Sequence, residues 1–245
     1  MKFSNMGMHI MFLDCKNLMS ITGMETWDTS SVSDMGSLFS GCSSLTSLNL
    51  SSSDTENCSS FFNMFYDCSG LVELDVAHFD TKNGINMQTI FNGCTLLQRL
   101  DLSNWTTPKA IVMNGMFGNC PSLTEIIGLE NFTTDNVELL NSMFSKCARL
   151  EELDLSSFNA IIATNLDYIF QGCTDLKVIK PMKNIKANLS VKDCNYLTVD
   201  SLISIINNLA EVSEVRTLTL GEHNFGKLED EHFLIAAEKG WSVVM

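Results

Sequence analysis

Seven cysteines recur at intervals of 27, 26, 26, 26, 27 and 26 residues, from Cys15 through Cys42, Cys68, Cys94, Cys120 and Cys147 to Cys173. A phenylalanine stands three residues before each of them and a leucine three after, as in Phe65, Cys68 and Leu71. A period of this length restricts the chain to a stack of like supersecondary units, in which each unit buries its apolar face only against its neighbours. One elongated body is therefore expected, rather than two globular domains of a 245-residue chain.

Each unit divides into three pieces. The first follows L-x-x-L-x-L, as at Leu71, Leu74 and Val76 or Leu97, Leu100 and Leu102, and its end alternates apolar and polar residues. That alternation predicts one short, half-buried parallel strand per coil. The second is a polar turn closing on an aromatic residue and a threonine, as in Phe79-Asp80-Thr81 and Trp105-Thr106-Thr107, where Asp, Ser and Thr side chains bind nearby backbone. One unit has Ser53 at the aromatic place, which predicts either a local packing gap there or compensation by Phe61. Units with an extra residue carry Gly23 or Gly128 after the strand, which predicts a bulge. The third places Met35, Phe61, Met87, Met113, Leu140 or Leu166 four residues before the repeat phenylalanine, spacing that predicts one or two helical turns against the sheet.

Beyond residue 180 the repeat fades. Thr198 is placed to cap a helix with Leu202, Ile205, Ile206 and Leu209 on one face, residues 217–220 alternate as a strand, Glu229-Asp230-Glu231 opens another helix, and Gly240 ends it before a final strand. The expected organisation is an array of about seven coils over residues 1–190 and a capping segment, helix–strand–helix–strand, over residues 191–245.

The net charge of -14 disfavours a nucleic acid or an anionic membrane as partner. No apolar run reaches membrane-spanning length, so no direct membrane insertion is expected, and no export signal is legible at the start. The repeat cysteines share one position, which predicts a column of free, buried thiols, with Cys58 another core residue and Cys194 at the edge of the array. No zinc spacing, nucleophile elbow, H-E-x-x-H or P-loop occurs, so neither catalysis nor a metal or other cofactor is expected. His9, His78, His223 and His232 are scattered.

Units reading F-x-x-C-x-x-L-x-x-L-x-L followed by F-D-T, as from Phe65 to Thr81, resemble the BspA-like leucine-rich repeats of bacterial surface proteins, over residues 8–180. The resemblance implies an α/β leucine-rich-repeat solenoid, extracellular or at the cell surface, acting in adhesion or protein binding, with a protein or glycan of a host or neighbouring cell as partner. It carries no catalytic motif and no fixed binding residues.

On such a coil the outward strand positions form a stripe: Ser47 and Asn49, Glu73 and Asp75, Arg99 and Asp101, Glu125, then Glu152 and Asp154. These are the candidate partner-binding residues, an acidic-centred face suited to a basic or hydroxyl-rich partner. A charged face that only keeps strand edges from aggregating is the plainer reading of the same residues. Calcium is a weaker reading, since no D-x-D-x-D loop supplies enough oxygens. The alternative to surface recognition is an intracellular or assembly scaffold that associates, with itself or another subunit, through an uncapped N-terminal edge.

Overall fold

The computed structural model describes residues 7–245, a mixed α/β chain with short parallel strands and few helices. Its longest feature is a backbone ladder formed by the third piece of each unit. Parallel bridges join Asp34 to Ser60, Ser60 to Asn86, Asn86 to Val112, Val112 to Leu139 and Leu139 to Asn165. Around each bridge, alternate N–H groups donate to the following coil. Those of Met35, Ser37, Phe39 and Gly41 reach the carbonyls of Ser60, Phe62, Met64 and Tyr66 at 3.0, 2.7, 3.0 and 2.7 Å. Every such N–H points to the next coil and every paired carbonyl to the previous one.

This corrects the expected helical turns. Each coil holds two left-handed residues four apart, among them Ser37 and Gly41, Asn63 and Asp67, and Tyr168 and Gly172. Positive φ interrupts a right-handed helix, and the bonds are i to i+3, as from Leu38 N–H to the Met35 carbonyl at 3.2 Å. The apolar spacing survives because Met, Phe and Leu still turn inward on alternate bends.

Inside the ladder the repeat phenylalanines form a column. Phe12, Phe39, Phe65, Phe91, Phe117, Phe144 and Phe170 stack with successive centroids 5.5–6.1 Å apart and rings within 12° of parallel. Burying a side chain of this size contributes about 1.5–3 kcal/mol. The turn aromatics make a second column, in which Phe79 stacks on Trp105 at 6.1 Å and Phe132 on Phe158 at 6.3 Å. At the unit with Ser53, Phe61 is fully buried and lies 6.4 Å from Phe79 and 6.1 Å from Trp105.

The thiols run beside the phenylalanines. Cys42, Cys68, Cys94, Cys120, Cys147 and Cys173 each donate from Sγ to a phenylalanine carbonyl of the preceding coil at 3.0–3.2 Å. Eight of the nine cysteines are buried and all nine are free; Cys15 is exposed, because among the described residues no coil precedes it. Burial pushes the thiols up, to about 12 for Cys68, Cys120 and Cys173. A thiol suits the position because it packs as a small apolar group yet gives the carbonyl a second donor.

Threonines hold the turns together. Thr29, Thr55, Thr81, Thr107 and Thr134 are buried, and each hydroxyl donates to a carbonyl one coil on, at 2.8–3.0 Å. Four of them also accept the N–H of that same residue, as Thr134 does from Asn159 at 2.7 Å. Three of the five asparagines in N-x-S/T triplets join this side of the coils: Asn57, Asn104 and Asn131 donate from Nδ2 to the carbonyls of Ser30, Ala77 and Ser103.

The extra residue of the longer units builds no bulge. Gly23 and Gly128, with φ of 85° and 94°, start 3-10 turns at Met24–Thr26 and Leu129–Asn131. The left-handed glycine turns the chain out of the strand direction, so the added residue is absorbed in the turn.

Strands occur at β1 Arg99–Asp101, β2 Glu125–Ile127, β3 Glu152–Asp154 and β4 Val178–Lys180, pairing β1 with β2 and β3 with β4. The expected strand in every coil is thus not formed: no strand is assigned over residues 45–50 or 71–76. Between these two runs the backbone bond present, from Val72 N–H to the Thr46 carbonyl, is long at 3.4 Å.

The terminal segment adds β5 Leu189–Ser190, α1 Val199–Asn207, β6 Arg216–Thr219, α2 Glu222–Phe225, α3 Asp230–Glu238 and β7 Trp241–Val244, with a parallel sheet in the order β5-β6-β7. Thr198 caps α1, accepting the Ser201 N–H at 3.2 Å. Glu229 and His232 close a capping box on α3, with His232 Nδ1 accepting the Glu229 N–H. The amide of Asn224, fully buried, donates to the carbonyls of Cys194 and Leu220 and fastens α2 to the end of the array. Cys194 lies within the stack: Val191, Cys194 and Leu197 repeat the turn of Phe170, Cys173 and Leu176 after only 21 residues.

Candidate functional site

The outward strand positions line two open hollows. One of about 550 Å³ is bordered by Ser47, Glu73, Asp75, Arg99 and Asp101. The other, of about 690 Å³, is bordered by Glu125, Glu152, Asp154 and Lys180. Asn49 borders neither. Alternation along the coil explains the placement: Leu100 and Leu153 point into the core while their neighbours on both sides face out. Ser47, Asn49, Glu73, Asp75, Arg99, Glu125 and Glu152 are exposed; Asp101 and Asp154 are half-buried.

The four residues at the ends of these runs have a local task. Asn49, Asp75, Asp101 and Asp154 each accept, through Oδ1, the N–H two residues on, from Ser51, Ala77, Ser103 and Ser156 at 3.0–3.3 Å. They shape the turn that leaves the strand. The Ser103 bonds hold the Asp101 carboxyl below its ordinary value. For Asp154, burial acts upward, but hydrogen bonds from Lys180 and Ser156 outweigh it and bring the carboxyl down.

Nor is the stripe uniformly acidic. Arg99 Nε lies 2.6 Å from Glu125 Oε2 and Lys180 Nζ 2.7 Å from Asp154 Oδ2, each pair spanning adjacent coils. Arg99 therefore neutralises Glu125 of the following coil. Exposed pairs of this kind contribute about 0–1 kcal/mol each. Among the described residues the side chains of Glu73 in the first hollow and of Glu152 and Asp175 in the second make no ion pair or hydrogen bond. Arg149 and Glu151 also line the second hollow and lie outside the strand alternation that pointed to the others.

No cluster of three or more His, Cys, Asp or Glu residues that could hold a metal ion occurs among the described residues, and no helix among them is long and apolar enough to cross a membrane.

Like coils bonded edge to edge, with buried columns and a variable outer face, define a repeat protein of leucine-rich-repeat-like character. The chain belongs to the family described as Mycoplasma protein of unknown function, DUF285, whose model matches residues 6–128 and again residues 86–198. Among solved structures, the crystal structure of the TLR13–ssRNA13 complex is similar over 88% of this chain, at 16% identity and a TM-score of 0.18. This chain spans 42% of the length of that one. No curated protein matches.

Proposed function

We propose that the chain is a BspA-like leucine-rich-repeat solenoid serving as a non-enzymatic recognition or adhesion module at a cell surface, which docks a protein or glycan through its outward strand face. The observation that carries this reading is the pair of hollows, each with an unpaired carboxylate, Glu73 or Glu152, on a backing fixed by buried columns. A rigid face of this kind holds many side chains in register at little ordering cost on binding. The test is the double variant Glu73→Lys, Glu152→Lys, which spares the aspartates that shape turns. Immobilised wild-type chain should retain a defined set of surface proteins or glycans from a host or neighbouring cell, and the variant, with an unchanged melting temperature, should lose it. Equal retention by both would refute the face.

A second reading, an assembly scaffold, is favoured by the first described coil. Among the described residues the carbonyls of Gly7, His9, Met11 and Leu13 accept no hydrogen bond, and Ile10, Met11 and Leu13 are 42–49% exposed. Light scattering over a hundredfold concentration range tests it: a rising mass supports edge association, and a constant monomer mass opposes it.

A further inference from the structure

The ladder that runs through the coils stops at the seventh. In the sixth coil the N–H groups of Leu140, Ser142, Phe144 and Lys146 donate to the carbonyls of Asn165, Asp167, Ile169 and Gln171 at 2.6–3.2 Å. The corresponding N–H groups of the seventh coil belong to Leu166, Tyr168, Phe170 and Gly172. Only the last has an acceptor, the Asp193 carboxylate at 2.9 Å. The other three have none among the described residues, although the side chains of Leu166 and Phe170 are buried.

The cause is the shortened eighth coil. It returns to the stack after 21 residues instead of 26 or 27. Residues 183–185 are drawn aside to pair with Asn159 and Leu209, and β5 pairs with β6 rather than with the seventh coil. Contact resumes at Cys194, whose Sγ lies 3.7 Å from the Phe170 carbonyl. Between the two coils remains a wedge of about 400 Å³, lined by Tyr168, Phe170, Gln171, Ser190, Lys192 and Asp193. It adjoins a wider hollow that Leu166 borders, and Asp167 and Asn188 line both.

We infer that this wedge is a docking slot for a polypeptide segment wound in the same tandem turns as the coils' own rungs, whose alternate backbone carbonyls accept the N–H groups of Leu166, Tyr168 and Phe170. Spacing selects the occupant. These donors stand at every second residue, and in each earlier coil the row is filled by carbonyls at every second residue of another stretch of chain. A peptide laid in the same direction repeats that pattern and adds one rung to the ladder, as in strand addition at a sheet edge. Three N–H groups in a row without an acceptor in the chain favour a ligand that supplies several acceptors together. A free anion fits poorly, because Asp193 already occupies the end of the row and Asp167 borders the slot. Because the contacts run through backbone, the slot places little demand on the peptide's sequence. It is separate from the strand face proposed above.

Amide hydrogen exchange on the isotope-labelled full chain tests this. Without ligand, the amides of Leu166, Tyr168 and Phe170 should exchange about 100-fold faster than those of Leu140, Ser142 and Phe144, while Gln171 and Cys173 in the same coil stay slow. The probe is the synthetic nonapeptide of residues 164–172, the chain's own rung; at saturation it should slow those three amides at least about tenfold. Ser190→Phe, or Thr219→Phe from the facing strand, should abolish that slowing without lowering the melting temperature, and the Glu73→Lys, Glu152→Lys variant should keep it. The inference is overturned if the three amides are already as slow as their counterparts, if Gln171 and Cys173 exchange equally fast because the coil frays, or if the peptide leaves exchange unchanged. Slowing by inorganic phosphate or maltose in place of the peptide would overturn it too, marking the row as a seat for small acceptors.

Discussion

Replacing Thr134 by valine keeps side-chain volume and β-branching and removes one hydroxyl. That hydroxyl donates to the Asn159 carbonyl at 2.9 Å and accepts the Asn159 N–H at 2.7 Å, and the residue is fully buried. Valine leaves both Asn159 groups without a partner at a site that water reaches poorly. Each stranded group costs about 1 kcal/mol or more, so the loss should be about 2–3 kcal/mol. For a chain of this length that lowers the melting temperature by about 4–12 °C. Thr164→Val is the control: Thr164 is exposed and makes one bond, to the Glu138 carbonyl at 3.3 Å, so it should cost under about 0.5 kcal/mol. Urea unfolding by fluorescence gives both values, and amide exchange at Asn159 shows whether the damage is local. If Thr134→Val matches its control and the Asn159 amide stays protected, the threonine columns do not hold the coils together.

Two further outcomes follow from the columns and turns. Thiols pushed up to about 12 in the folded chain titrate near 9.0 once unfolded, so the neutral-thiol stabilisation is complete below pH 9 and is lost as pH rises toward 12. Unfolding free energy should fall by about 1.4 kcal/mol per pH unit for each such thiol, and a thiol reagent at pH 7.5 should label Cys15 rapidly and the other eight only on unfolding; a flat profile from pH 9 to 11 would contradict the buried column. Gly128→Ala and Gly23→Ala share a left-handed backbone cost of about 1–2 kcal/mol, but only at Gly128 does the new Cβ meet backbone, 2.4 Å from the Leu102 carbonyl oxygen. Calorimetry should find Gly128→Ala the more destabilising, by about 1 kcal/mol or more, and equal losses would count against the packing described for that turn.

The columns were legible because one side chain per period has to land in one place: Phe, Cys and Leu recur at fixed spacing. The ladder was not, since Met35, Leu38 and Phe39 satisfy the spacing of a helix and of tandem turns equally well. A usable signal stood beside six of the seven repeat cysteines, where Asp14, Gly41, Asp67, Gly93, Asn119 and Gly172 are residue types that tolerate left-handed backbone, and only Lys146 before Cys147 departs from it. On the strand face, alternation placed Glu73, Arg99 and Glu152 outward. It could not assign ion-pair partners, because Arg99 had acidic residues within reach on both adjacent coils. The turn role of Asn49, Asp101 and Asp154 was readable in their shared pattern with Leu and then Ser, as in Asp101-Leu102-Ser103.

One consequence of the ladder concerns electrical direction. Its peptide groups lie head to tail in parallel files, each with a dipole of about 3.5 D, so the files add up instead of cancelling as neighbouring strands of a sheet largely do. The array is polarised like a bundle of helices running backwards, negative toward its low-numbered coils and positive toward Leu166, Tyr168 and Phe170. Two such arrays attract end to end in one orientation and repel in the other two, so any filament they form has a sense of direction.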